Sequence, residues 1–152
     1  MKTNVKLVIL LVISFLACTN NGRNEAYYRF PMQTWDRFNI LNFDIPLEKR
    51  EHPVTVTFFA RYTRVFSHAS LDFHVIMKTP NGEERIREYS MKIKNREGNF
   101  LHEFTGDSCE QSLVLNDELF ISREGVLHVD VENLLPRLKT QGLVGVGIRV
   151  SK

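Results

Sequence analysis

The sequence predicts an all-β fold, a single antiparallel two-sheet β-sandwich behind a secretion signal. Three observations carry that reading. Segment after segment alternates apolar and polar residues with period two, as a strand with one buried face does. Turn residues separate these segments at spacings of about 8–12 residues, the rhythm of a sandwich. Helical periodicity is nearly absent: only 133–139 has room for a helical turn, and Pro136 limits it. Length and composition agree, since 152 residues at 43% hydrophobic and 25% charged suit one ordinary globular domain.

The N-terminus reads as a targeting segment. Lys2 and Lys6 make a positive start, and Leu7 to Ala17 follows as an apolar run broken only by Ser14. The run is shorter than the roughly 20 residues a membrane-spanning helix needs, and fits a secretory signal. It ends Phe15-Leu16-Ala17-Cys18, a small residue directly before a cysteine. Lipoprotein signal peptidase cuts at such a junction once the thiol is acylated. Residues 1–17 are therefore expected to be removed, Cys18 to carry lipid, and 18–26 to form a polar tether. The β-sandwich is expected over 27–152. Two or three acyl chains, at about 0.8 kcal/mol per buried CH₂, make such an anchor effectively permanent. An outer membrane, with the domain on its periplasmic side, is the expected location.

Cleavage changes the charge balance. Removing residues 1–17 from 152 leaves 135 and takes Lys2 and Lys6 from the 20 basic residues, so 18 face the 18 acidic ones. No basic excess remains to point to nucleic acid. With Cys18 lipidated, Cys109 stands alone, and a disulfide framework is not expected. A Cys18–Cys109 bridge is the alternative if lipidation fails.

Each strand has its own warrant. Val54, Val56, Phe58, Ala60 and Tyr62 alternate with Thr55, Thr57, Phe59 and Arg61. Leu71, Phe73, Val75 and Met77 form the next apolar face. Asn81-Gly82 after them is a strong hairpin signal, with the return strand over about 83–93. Asn95 to Gly98 turns the chain again into a short strand over 99–104. Two short pieces, 113–115 and 119–121, flank Asn116-Asp117. Leu127, Val129 and Val131 alternate with His128, Asp130 and Glu132, and the series closes on Val144, Val146, Ile148 and Val150. A jelly-roll and an immunoglobulin-like topology fit this pattern equally.

Candidate chemistry is sparse. None of the five histidines falls in a metalloprotease spacing. A metal site would need Asp72, His74, His128 and Glu132 to converge from two strands; a solvated strand face is the plainer account. Glu83 and Glu84 adjoin a turn and point to opposite faces of a regular strand, which suits no carboxylate pair. Gly142 to Gly147 lacks the Lys-Ser/Thr ending of a phosphate loop. Gly145 and Gly147 instead leave room for a close neighbour. No catalytic residue, metal or cofactor is expected. Tyr27, Trp35 and Tyr62 are the candidate surface, for a protein partner or for stacking on sugar rings. The plainer reading has Phe30 and Trp35 plugging one end of the core.

The order of residues along nearly the whole chain resembles the GldH-type gliding-motility lipoproteins of Bacteroidota. The resemblance runs from Cys18 through Tyr28-x-Phe30-Pro31, Trp35 and Asn42-Phe43-Asp44-Ile45. It continues through Pro53 to Val56, Phe58 to Arg61, Phe66-Ser67, Pro80-Asn81-Gly82 and Gly98 to Leu101. It closes with Gly125 to Val129 and Gly142 to Val150. Two features depart from the pattern: Phe15 stands where the signal usually has Leu, and the spacing over 62–68 is loose. The resemblance implies a non-enzymatic envelope component that supports gliding and, in some lineages, linked secretion. On that reading the chain is a docking or assembly subunit with envelope protein partners. A glycan-binding lipoprotein of the cell envelope is the alternative.

Overall fold

The computed structural model describes residues 24–152; the predicted signal segment and Cys18 lie outside them. Ten strands are present among the described residues: β1 Asn24–Arg29, β2 Thr34–Asp36, β3 Leu41–Leu47, β4 Val54–Thr63 and β5 Ser70–Lys78, then β6 Glu84–Lys92, β7 Ser108–Leu119, β8 Gly125–Asn133, β9 Lys139–Gln141 and β10 Leu143–Ser151. One turn of 3₁₀ helix, Pro31–Gln33, lies between β1 and β2.

The strands form two four-stranded antiparallel sheets, ordered β1-β10-β4-β7 and β3-β8-β5-β6, and a small ribbon β2-β9. Pairing is nested: β5 with β6, then β4 with β7, β3 with β8, β2 with β9, and β1 with β10. The chain is thus one long antiparallel hairpin, folded over itself around the Asn81-Gly82 turn, where Gly82 takes φ +90°. Folding that hairpin over puts β10 beside β4 and β8 beside β5. This is the jelly-roll order of eight main strands. It decides between the two topologies that the sequence pattern left open.

The period-two pattern explains the core. On β4, Val54, Val56, Phe58, Ala60 and Tyr62 face inward; on β5, Leu71, Phe73, Val75 and Met77 do. β3 contributes Leu41, Phe43, Ile45 and Leu47, and β8 contributes Leu127, Val129 and Val131. Phe58 of one sheet stacks on Phe73 of the other with centroids 4.1 Å apart. Pro46 sits on β3, an edge strand, where its missing donor costs little.

Five local expectations change. β1 takes in Asn24, Glu25 and Ala26, which the sequence reading gave to the tether. β2 and β9 are new. No strand covers 99–104; a single bridge joins Lys94 and Phe100. The two pieces expected around Asn116-Asp117 belong to one twelve-residue strand, β7, interrupted by bulges opposite Val54 to Thr57. Each bulge adds one residue, so the alternation breaks although the strand does not. Residues 134–138 hold no helical turn; 136–138 form bends.

Strand direction gives the sandwich two distinct ends. Asn24, Ser151 and the loops 48–53, 79–83 and 120–124 lie at one end, here the anchor end. Residues 30–40, 64–69, 93–107 and 134–142 lie at the other, the distal tip. The nine residues of β10 separate the ends by about 30 Å.

Candidate functional site

Three aromatic residues were expected to form a surface, and the structure separates them. Tyr27 alone keeps substantial exposure, at 40%. It lies on the outer face of the β1-β10-β4-β7 sheet, its ring parallel to that of Phe59. Arg149 covers Phe59 at 4.5 Å, and Arg61 approaches the Tyr27 ring at 5.9 Å. Glu25 and Glu110 hold Arg149 at 2.6 and 3.5 Å, and Glu110 also holds Arg61 at 2.9 Å. Gly145 and Gly147 make the room: a Cβ on Gly145 would meet Tyr27 Oη at 2.2 Å, and one on Gly147 the Phe59 ring at 2.5 Å. The close neighbour that these glycines accommodate is an aromatic stack of the protein itself.

Trp35 and Tyr62 are corrections: both are fully buried. Trp35 stacks on Phe30 at 5.1 Å, and its indole N–H donates to the Asn39 carbonyl at 2.9 Å. Tyr62 packs against Phe66, Phe100 and Phe104, and its hydroxyl donates to Gln111 Oε1 at 3.1 Å. Burial, reinforced by a hydrogen bond with Cys109, pushes the Tyr62 phenol well above its ordinary pKa. Each polar atom is satisfied inside, so each ring is free to serve as core. Neither offers a face to a sugar or a partner.

The expected metal ligands do not converge. His74 pairs with Glu132 at 3.8 Å and His128 with Asp44 at 2.6 Å. The β5–β8 register sets the two histidines four residues apart along the sheet, about 13 Å. Asp72 accepts from Ser90 at 2.5 Å. Among the described residues no group of three or more His, Cys, Asp or Glu is placed to hold a metal. Glu83 and Glu84 pair with Arg85 and Lys78. Cys109 is a buried thiol opposite Tyr62, near the distal tip. Cys18 precedes a strand that starts at the anchor end, so a Cys18–Cys109 bridge would have to cross the length of the sandwich.

The most distinctive surface is the distal tip, which sequence reasoning missed. Met32 is 91% exposed and Phe38 79%; Val65 and Leu138 are exposed beside them. The ribbon brings segments 34–37 and 138–141 together: Asp36 lies opposite Lys139 in the strand register, and Arg37 N–H donates to the Leu138 carbonyl at 2.9 Å. Between β9 and the 64–69 loop lies a groove of about 260 Å³ lined by Val65, Ser67, His68, Arg137, Lys139 and Gln141. Burial and then the neighbouring Arg137 lower the pKa of His68 from its ordinary value, while Asp72 opposes them.

The tip is built rigidly. Trp35 holds the Asp36–Asn39 turn from below through its indole N–H. Buried Asn133 donates to Thr140 Oγ1 at 3.1 Å and accepts from Leu135 N–H at 2.9 Å, fixing the path into β9. Gly142, at φ +84°, lets its backbone pass against Phe66, where a Cβ would meet the Phe66 nitrogen at 2.3 Å. Gly142 N–H binds the Gln33 carbonyl at 2.9 Å. Met32 and Gln33 both hold positive φ, 50° and 52°. Two consecutive left-handed residues other than glycine cost about 1–2 kcal/mol each. That strain is borne by a turn which presents a fully solvated methionine.

Fold and surface together define a class: a jelly-roll β-sandwich domain with an apolar and basic tip. The family model of the GldH lipoprotein matches residues 23–150. The chain belongs to the GldH lipoprotein family, which makes it a gliding-motility-type lipoprotein held by lipid in the cell envelope. No curated protein matches the sequence. Among solved structures, a chain in "Structure of infectious bursal disease virus Gx strain" is similar at 7% identity and a TM-score of 0.31. That match covers 84% of this chain and 29% of the other, and it has no bearing on function.

Proposed function

We propose that this lipoprotein is a non-enzymatic docking or assembly subunit of a gliding- or secretion-linked envelope machinery. Cys18 fixes it to the outer membrane, with the sandwich on the periplasmic side. One observation carries the reading: β1 begins six residues after Cys18 and pairs over its whole length with β10, inside the main sheet. An anchor joined so closely to the core holds the domain as a rigid body at the membrane rather than on a long leash. Six residues reach at most about 20 Å. Such a subunit suits a machine that must be held in place while its partners move.

The test is a pull-down of C-terminally tagged protein from cross-linked membranes of the native host, with an exported Cys18→Ala strain as control. Recovery of the same envelope-machinery subunits in repeated preparations, lost in the control, supports the docking role. Recovery of no protein partner sinks it and moves the search to cell-surface polysaccharides.

A further inference from the structure

We infer that the distal tip is the docking face, and that its occupant is an acidic segment of a partner protein carrying an apolar side chain beside its carboxylates. The inference rests on the docking role proposed above and names the chemistry of the partner.

Charge is the first argument. The tip segments 30–40, 64–69 and 134–142 carry Arg37, Arg64, Arg137 and Lys139 against one carboxylate, Asp36. Arg64 is engaged over the Phe104 ring. Arg137 and Lys139 make no ion pair among the described residues, and both line the groove. Ser67 and Gln141 add hydroxyl and amide donors there, and no carboxylate lines it. On the outer sheet face, by contrast, Arg61 and Arg149 are already held by Glu110 and Glu25. The remaining loop at this end, 93–107, sets three carboxylates, Glu97, Glu103 and Asp107, against Lys94 and Arg96, and covers Tyr62 through Phe100 and Phe104 rather than lining the groove. Cations without ion pairs, beside exposed Val65 and Leu138 and at the same end as exposed Phe38 and Met32, match a partner surface of opposite charge with an apolar anchor.

Position is the second argument. β1 starts at the anchor end, so the tip stands about 30 Å from where the tether joins, on the side facing away from the attachment point. A protein in the aqueous space meets it first, rather than the bilayer that holds the chain. Strain is the third. The left-handed Met32-Gln33 pair is held by the Gly142 N–H bond and presents its side chain outward, as turns fixed for contact do.

Full-length lipidated protein carrying a photo-cross-linking phenylalanine at Leu138, at Phe38, or at the exposed control Ile86 on β6 tests this in the native host. The expected result is an adduct from positions 138 and 38 with one envelope protein, mapped to a segment rich in Asp or Glu. The R137E/K139E pair should weaken it about tenfold, the scale of reversing charges at an interface. Both residues are exposed, so an unchanged melting curve checks that the double variant still folds. Adducts from Ile86 but not from the tip overturn the inference and leave the docking role standing elsewhere. Adducts with lipid from the tip overturn it in favour of a membrane surface. Absence of adducts at all three positions removes the docking role together with the inference.

Discussion

The ring of Tyr27 lies on the ring of Phe59 with centroids 5.8 Å apart and planes within 5° of parallel. Phe59 points away from the core, since Phe58 beside it points in, and yet it is buried. It is buried by Tyr27 and Arg149, on ground kept clear by two glycines. The outer face of the sheet thus has a small core of its own, which clamps β1 onto β10 and β4.

Replacing Gly147 by Ala should loosen that clamp. The new Cβ would lie 2.5 Å from both the Phe59 ring and the Ala26 carbonyl oxygen, and the carbonyl belongs to the β1 backbone. A cost of about 1–3 kcal/mol is expected, as for other overpacked sites, read as a lower urea midpoint. An unchanged midpoint would show that β1 gives way at no cost.

Asn133→Ala should weaken the tip. The substitution leaves the Leu135 N–H without its acceptor in a buried setting and strips Thr140 of its donor. The expected loss is about 1–3 kcal/mol. Hydrogen exchange should rise across 134–142 more than across β4. Uniform change over both segments would contradict a local role.

Tyr62 should make the protein sensitive to alkali. Its pKa is raised in the fold, chiefly by burial, so above about pH 10 the unfolded chain releases a proton that the folded chain keeps. Stability therefore falls as pH rises past the ordinary tyrosine range. Tyr62→Phe should flatten that fall, at the expense of the hydrogen bond to Gln111. Denaturation curves at neutral and alkaline pH decide it.

His68 should act at the acid end. Its folded pKa is lowered by burial and by Arg137, so below about pH 6.5 the unfolded chain binds the proton more readily and stability falls with acidification. In Arg137→Gln the His68 resonance should titrate at higher pH, while Asp72 and Lys94 still act on it. No movement in that NMR titration would mean that the guanidinium points elsewhere.

Cys18→Ala, exported behind a signal that the general signal peptidase cuts, should leave the fold intact and release it from membranes. β1 begins at Asn24, so the sandwich does not depend on the lipid. The variant should fractionate with soluble protein and melt as the parent domain does. Retention in the membrane fraction would show a second means of attachment.

The parts of the fold legible in the sequence are those with one buried face. β4, β5, β8 and β10 announce themselves because apolar residues must alternate when one side of a strand is dry. β7 reads as two fragments because its bulges shift the alternation near Asn116. β1 gives no pattern, since it is an edge strand whose residues are mostly exposed. β2 and β9, at three residues each, are too short for a period to show. Trp35 illustrates the limit for sites: residue type says that a ring must be placed, not on which side of the surface. Asp36 and Lys139 meet across a ribbon that joins positions a hundred residues apart, and one sequence alone carries no trace of that meeting.

The nested pairing has a consequence in time. β1 is made first and its partner β10 last, so the main sheet cannot close until nearly the whole chain has emerged. The central hairpin at Asn81-Gly82 can form early, and each further pair must close a longer loop, which makes folding slow. An exported chain has reason to be built this way. Secretion through a narrow channel requires an unfolded thread, and a fold whose closing strand comes last keeps the thread loose until the crossing is over.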